Sequence, residues 1–339
     1  MSDFNLSLSG AFKQFGTHYG YGKACEQIAK GFLNNDIETN IADGLSDIEL
    51  CFDHAPFKFY GKDTYKIAYV AWESTEYPPE WKKLDEPDEY WSPASWLTEQ
   101  FAKDFGKPVF TFPHGVGKEF TPKRRYRRMK EYGLDRPFTF LHIGEPQYRK
   151  NGQLVVDAFV ELFGNNPRFR LVMKCGKINS TRIYDDKTKM SLGSPQSLYS
   201  NIVSIEDILT EEQLLGLYHE SHCFLYPSAG EGFGLQPLEA LATGLPTICT
   251  SNWAEYSEFI NVPIEGVLSE SPWQDVHPGN TFNVTVDQVK AAMLDMVENY
   301  DEYAKDAFKN AFTIHKEWNW DKQILKAVER LKEIQNSRI

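Results

Sequence analysis

Short apolar runs alternate with helix-period amphipathic segments along the chain, and this alternation limits the fold more than any other feature. Parallel strands need a crossover segment between them, so the pattern argues for an α/β protein built on parallel sheets. It is clearest in the second half. Residues 137–143 (PFTFLHI), 169–174, 201–205, 222–226 and 246–250 read as strands, and 152–163, 210–219 and 238–243 as the helices between them. Thr210 followed by two glutamates suits a helix start. In the first half, 66–72 and 108–112 read as strands and 25–32 as a helix. Ser95 is placed to cap a helix over 96–105 that stops at Gly106. The chain is helical after Val284 and ends in a stripe of Ile324, Leu325, Val328, Leu331 and Ile334 that suits helix packing.

The length of 339 residues fits two domains. The apolar fraction of 41%, with 23 Phe, 17 Tyr and 8 Trp, supplies large cores and excludes a mainly disordered chain. A break over 116–135 reads as a linker holding a short basic helix. Charge sums to −12, which argues against a general coat for nucleic acid or a membrane-surface binder. No apolar run reaches the ~18 residues of a membrane helix, and MSDFNLSLSG shows no secretory pattern. The five scattered cysteines read as reduced thiols of a cytoplasmic protein. Against the acidic balance, residues 123–130 read KRRYRRMK, six basic residues in eight.

Familiar nucleotide loops are absent. Gly16 to Gly22-Lys23 has one residue too many for a phosphate loop, and Ala24 stands where a hydroxyl is required. Cys25 occupies the third glycine position of a dinucleotide fingerprint. No D-x-D and no Cys/His cluster points to a metal. The informative stretch is 227–250, PSAGEGFGLQPLEALATGLPTICT. Gly232 and Gly234 allow close backbone approach to a ligand. A helix starting near Leu235 would aim free N–H groups at the loop, which suits an anion. Glu231 falls in the loop and Glu239 one turn into the helix.

This stretch resembles the signature of glycosyltransferase family 4, in Pro227, Ser228, Glu231, Gly232, Phe233, Gly234, Leu235, Leu238, Glu239, Ala240, Ala242, Gly244 and Pro246. The resemblance implies a GT-B fold: two Rossmann-like doubly wound domains facing a cleft, with the C-terminal helix returning to the N-terminal domain. The expected division is 1–117, an acceptor-side domain; 118–135, a basic linker; 136–316, a nucleotide-sugar domain; and 317–339, the returning helix. It further implies a retaining transferase that moves a sugar from a nucleotide-diphosphate sugar, UDP-sugar first, to an acceptor hydroxyl. No metal and no obligatory cofactor is implied. Arg149 and Lys150 would meet the diphosphate, which two cations suit. Glu231 would fix the sugar, Glu239 the ribose, and Gly232, Phe233, Gly234 and Leu235 the donor. Gly20, Tyr21 and Gly22 resemble the glycine loop that faces the donor from the first domain. Glu145 departs from the arginine that many relatives place after Gly144. His114, in a hinge-like Pro-His-Gly-Val, and His18 and Glu73 are further candidates near the reacting sugar.

The acceptor stays open. Lys123, Arg124, Arg125, Arg127, Arg128 and Lys130 suit the backbone of a DNA whose modified base is glycosylated. They equally suit anionic lipid headgroups or a solvated linker helix, and a glycan acceptor would not use them. A membrane is not expected. Alternatives to transfer are a non-catalytic sugar-nucleotide-binding protein and a GT-B sugar epimerase.

Overall fold

The computed structural model describes residues 4–14, 20–83, 86–125, 136–145, 147–176, 181–184 and 190–338. The first half runs β1 (Leu6–Gly10), α1 (Gly20–Asn34), β2 (Thr39–Ile41), β3 (Ile48–Phe52), β4 (Tyr65–Tyr69), β5 (Glu89–Ser92), α2 (Ser95–Phe105) and β6 (Val109–Thr111). The second runs β7 (Phe138–Ile143), α3 (Gly152–Phe163), β8 (Phe169–Lys174), a short hairpin of β9 (Ile183–Tyr184) and β10 (Ser191–Gly193), α4 (Pro195–Leu198), β11 (Ile202–Ile205), α5 (Glu211–Glu220), β12 (Cys223–Tyr226), α6 (Leu235–Ala242), β13 (Thr247–Thr250) and β14 (Val262–Ile264). A second hairpin, β15 (Val267–Glu270) and β16 (Asn280–Asn283), precedes α7 (Val286–Glu298), α8 (Tyr300–Glu317) and α9 (Trp320–Arg338).

Two six-stranded parallel sheets result. The second has the order β11-β8-β7-β12-β13-β14, which within the domain is 3-2-1-4-5-6, the dinucleotide-binding order of the doubly wound plan. The first has the order β2-β1-β3-β4-β5-β6, the flavodoxin-like variant of the doubly wound plan. In each sheet the order reverses beside the first strand, and ligands of such sheets bind at that point, off the carboxyl ends of the strands.

Several local expectations are corrected. Residues 6–10, 39–41, 48–52 and 89–92 carry no strand in the sequence reading, yet all lie in the first sheet. Two of these strands bury a carboxylate. Glu49 of β3 accepts the backbone N–H groups of Tyr60 and Gly61. Glu89 of β5 is clasped by the Arg330 guanidinium at 2.8 and 2.9 Å. Ser95 does not cap α2: the helix begins at Ser95, its N-cap is Ala94, and Gly106 ends it in the left-handed region. Residues 116–125 run as an irregular segment over the second domain, and the rest of the expected basic linker, 126–135, lies outside the described residues. Thr210 does cap α5, through a full capping box with Gln213.

The final helix α9 buries Trp320, Ile324, Ala327, Val328, Leu331 and Ile334 in one core with Leu6, Leu8, Ile28, Phe32 and Leu50 of the first sheet and α1. Gly31 of α1 leaves room for this contact, since a Cβ there would lie 2.5 Å from Ile324. The chain crosses between the domains at two neighbouring points. Val116 and Asn319 form a parallel bridge, and the Val116 N–H donates to the Trp318 carbonyl at 2.8 Å. No helix among the described residues is long and apolar enough to cross a membrane. All five cysteines are buried and free.

Candidate functional site

The carboxyl ends of β7 and β12, neighbours at the switch point of the second sheet, build the site. β12 runs into Pro227–Gly234 and then α6. Gly234 has φ +79 and lies against Trp253, so no other residue fits this turn comfortably. Gly232 approaches the first domain so closely that a Cβ would lie 2.5 Å from that of Ala71. Glu231, in this loop, is buried. Among the described residues all its contacts fall on Oε1: Lys150 Nζ at 2.7 Å, Arg149 Nη1 at 2.8 Å, Ser228 Oγ at 2.6 Å and the Tyr226 hydroxyl at 3.0 Å.

After β7 the chain makes a 3-10 turn over Tyr148–Lys150 before α3. The Asn151 amide donates to the Pro227 carbonyl at 2.7 Å, and the Arg149 carbonyl accepts from the Ala229 N–H at 2.8 Å. The two loops are thereby fixed together, and Arg149 and Lys150 meet Glu231 between them. Burial works against the charged form of Glu231, but Arg149 and Lys150 outweigh it and hold the carboxyl at about 2. Burial and the neighbouring Arg149 lower Lys150 to about 8 against the pull of Glu231. Arg149 is held above its ordinary value: burial lowers it, and Glu231 and Glu73 more than offset that. At neutral pH the site therefore holds two cations and ionised Glu231. The Arg149 Nε is buried with no partner among the described residues.

The first domain answers with opposite charges. Glu73, which follows β4, receives Arg149 Nη2 on Oε1 at 3.0 Å and faces His277 Nε2 with Oε2 at 3.2 Å. Burial raises its pKa, but Arg149 and then His277 hold it below the ordinary carboxylate value. Lys23, one turn into α1, reaches Glu239 of α6 at 3.3 Å, and the Tyr218 hydroxyl donates to the other Glu239 oxygen at 2.9 Å. Ser95 donates its N–H and hydroxyl to Glu255 across the cleft.

Gly20, Tyr21 and Gly22 form the first turn of α1 rather than a loop. A Cβ on Gly20 would lie 4.0 Å from Leu235 Cδ1, in ordinary contact, so the starts of α1 and α6 meet across the cleft. The Tyr21 side chain belongs to the first domain. Its hydroxyl contacts His54 Nε2 at 2.9 Å and the Ala71 carbonyl at 3.2 Å. Phe233 packs under the hinge beside His114, with ring centroids 5.0 Å apart. Burial among aromatic rings lowers His114 to about 3, and neither of its nitrogens has a partner among the described residues. Glu145 is exposed and leans on Gly176. His18 lies outside the described residues.

The basic run is corrected in part. Arg125 is buried and faces no solvent-borne partner: it donates to the carbonyls of Lys123, Tyr218, Ser221 and Thr243. Three of these carbonyls end α5 and α6, so the guanidinium sits at the negative ends of two helix dipoles. Lys123 pairs with Glu220 at 2.9 Å. Arg127, Arg128 and Lys130 lie outside the described residues. The sequence reading missed His277, Lys23 and Tyr226. Tyr226 stands one residue before the glycine-rich signature, which was the available signal.

Two doubly wound domains, joined at a double crossing and facing across a charged cleft, define a GT-B fold, as held by solved glycosyltransferases. Residues 125–277, which contain Arg149, Lys150, Glu231 and Glu239, match the family model described as Glycosyl transferases group 1. The lipopolysaccharide core biosynthesis mannosyltransferase LpsB of Rhizobium meliloti (strain 1021) is 27% identical over 150 residues, 43% of this chain and 41% of LpsB. A D-inositol 3-phosphate glycosyltransferase of Arthrobacter sp. (strain FB24) is 28% identical over 160 residues, 46% of this chain and 37% of that protein. The matches thus span about two-fifths of those relatives. Sucrose-phosphate synthase from Thermosynechococcus elongatus superposes with a TM-score of 0.68 at 13% identity, over 98% of this chain and 99% of that one. HepE of Anabaena, solved in complex with UDP and glucose, superposes with a TM-score of 0.65 at 9% identity, over 97% of this chain and 100% of HepE.

Proposed function

We propose that this chain is a retaining glycosyltransferase of the family 4 type, which transfers a sugar from a nucleoside-diphosphate sugar to an acceptor hydroxyl. The observation that carries the reading is the buried cluster of Arg149, Lys150 and Glu231 beside the glycine turn that starts α6. Two cations beside a helix start suit a diphosphate, and Glu231 and Glu73 hold them in place before it binds. Arg149 Nε is a donor still open for it. Glu231 keeps Oε2 for a sugar hydroxyl, and Glu239 takes the ribose once Lys23 lets go. The Gly232–Leu235 amides hold the donor, with the Gly20–Gly22 turn closing from the other side. Arg149, Lys150 and Glu231 then contribute positioning and charge stabilisation of the departing diphosphate. UDP-sugar is the first donor to try, since HepE is solved with UDP and glucose.

The acceptor-side reading narrows. Arg125 serves the fold and Lys123 is paired with Glu220, so the basic run is not carried forward as a DNA-binding edge. A non-transferring or epimerising protein gains no specific support from the site. Titration calorimetry with UDP-, GDP- and ADP-sugars, followed by an assay for released nucleotide, tests the proposal. Lys150→Ala and Glu231→Gln are expected to abolish release while the chain stays folded. Wild-type turnover in both variants refutes it.

A further inference from the structure

His277 is a buried imidazole with one nitrogen held and the other open. It lies at the end of the turn between β15 and β16, on the second domain, and is 8% exposed. Nε2 faces Glu73 of the first domain at 3.2 Å, whereas Nδ1 has no partner among the described residues. The rings of Trp72 and Trp273 flank it at 5.2 and 5.7 Å. Its hairpin is tied to the Glu73 segment by two further bonds, Thr75 N–H to the Asn280 carbonyl at 3.0 Å and Asn280 N–H to Thr75 Oγ1 at 2.9 Å.

An ionised carboxylate only accepts, so Glu73 selects the tautomer with the proton on Nε2. Nδ1 is then left with a lone pair and nothing to bind. Buried polar atoms are ordinarily satisfied, and an orphan of this kind asks for an explanation. A fastener between domains would need only Nε2. A base would need both: one nitrogen oriented by a carboxylate and the other free to take a proton.

We propose that His277 is the base that takes the hydroxyl proton of the acceptor, and that Glu73 is its positioning residue. The inference rests on the transferase reading above. The acceptor proton passes to Nδ1. The acceptor oxygen forms its bond to the anomeric carbon as the bond from that carbon to the diphosphate oxygen breaks. The nucleoside diphosphate leaves with the electron pair, its charge met by Arg149 and Lys150. Glu73 stabilises the imidazolium, which then gives its proton to water or to the released diphosphate. Arg149 on one Glu73 oxygen and His277 on the other place base and leaving-group cation one carboxylate apart.

The experiment uses the full chain, UDP-glucose and GDP-mannose as donors and water as acceptor, with released nucleotide as the readout. Positioned bases contribute about 10²–10⁴-fold, so His277→Ala is expected to lose ~10²-fold or more in kcat. UDP affinity by calorimetry stays within ~3-fold, and added imidazole restores ~10-fold or more of the lost rate. Glu73→Gln is expected to lower kcat with little change in KM, and to remove the imidazole rescue when combined with His277→Ala. Independently of turnover, the ¹⁵N spectrum of the histidine-labelled protein is expected to show His277 protonated on Nε2 alone. An unchanged kcat in His277→Ala, a loss that imidazole does not restore, or the opposite tautomer overturns the base. Failure of the wild type to bind any sugar nucleotide overturns the transferase reading instead.

Discussion

Replacing Arg125 by alanine tests how a charge can serve a fold without any carboxylate partner. The guanidinium is buried and donates to four carbonyls, with Nη1 to Thr243 at 2.7 Å, Nη2 to Tyr218 at 2.8 Å, Nη1 to Lys123 at 2.9 Å and Nε to Ser221 at 3.2 Å. Burial lowers its pKa to about 10, which leaves it charged at neutral pH. In Arg125→Ala, the Thr243 carbonyl keeps the Lys123 N–H, but the other three lose the guanidinium. A buried acceptor left unmet costs about 1–3 kcal/mol. With water reaching part of the gap, the loss is about 3–5 kcal/mol. At about 2–4 °C per kcal/mol for a domain of this size, the second domain should melt about 10 °C lower. Arg125→Lys keeps the charge but reaches fewer carbonyls, and should lose about half as much. Urea unfolding followed by circular dichroism and calorimetric melting read these values. A loss below about 1 kcal/mol in Arg125→Ala would refute the idea that this cation ties the ends of α5 and α6 together.

Other consequences concern charge and closure. Lys150 titrates near 8 in the free protein, and a bound diphosphate favours its charged form. UDP affinity should therefore be full below pH 8 and fall toward tenfold per pH unit above it; calorimetry from pH 7 to 9.5 reads this, and Lys150→Arg should flatten the profile. His114 is held near 3, far below its ordinary 6.5, so the unfolded chain takes a proton that the native chain refuses. Stability should drop as pH falls from 6.5 toward 3, by about 2 kcal/mol at pH 5 from this residue alone. His114→Phe should lessen the difference between urea midpoints at pH 7 and pH 5. Gly232→Ala should leave both domains folded but hold them apart, because its Cβ would strike Ala71. The radius of gyration by X-ray scattering should rise and turnover should fall; an unchanged radius with full turnover counts against the contact.

What could be read in advance was local. Glu231 and Glu239 lie in one unbroken motif, and the strand, turn and helix around them have ordinary propensities. Arg149 and Lys150 were legible through the family resemblance, and cations at the start of a helix are out of place unless something answers them. His277 was not, because its partner Glu73 is 204 positions away. The strands β3 and β5 were hidden by Glu49 and Glu89, charged residues in wholly buried strands. What makes them tolerable is distant in the chain, with Arg330 of α9 answering Glu89. Ser95 misled for a related reason. A serine before an amphipathic run suggests a cap, but here its hydroxyl is drawn to Glu255 of the other domain. Arg125 looked like a solvated cation in a basic run, and only the convergence of two helix ends makes it internal.

The place of α9 in the first core also sets the order in which the protein can be made. Leu6, Phe32 and Phe112 leave the ribosome early, but Trp320, Ile324 and Leu331 complete their core. At about 5–20 residues per second, the 208 positions from Phe112 to Trp320 take about 10–40 s to synthesise. Through that interval the core of the first sheet and α1 lacks the cover of α9, while the second domain, whose strands and helices are contiguous in the chain, can close first. The usual sequence of co-translational folding is inverted, and the first-made domain is the one that waits. A nascent chain stalled before α9 should engage chaperones through the surface of α1 and the first sheet, and should release them once α9 emerges.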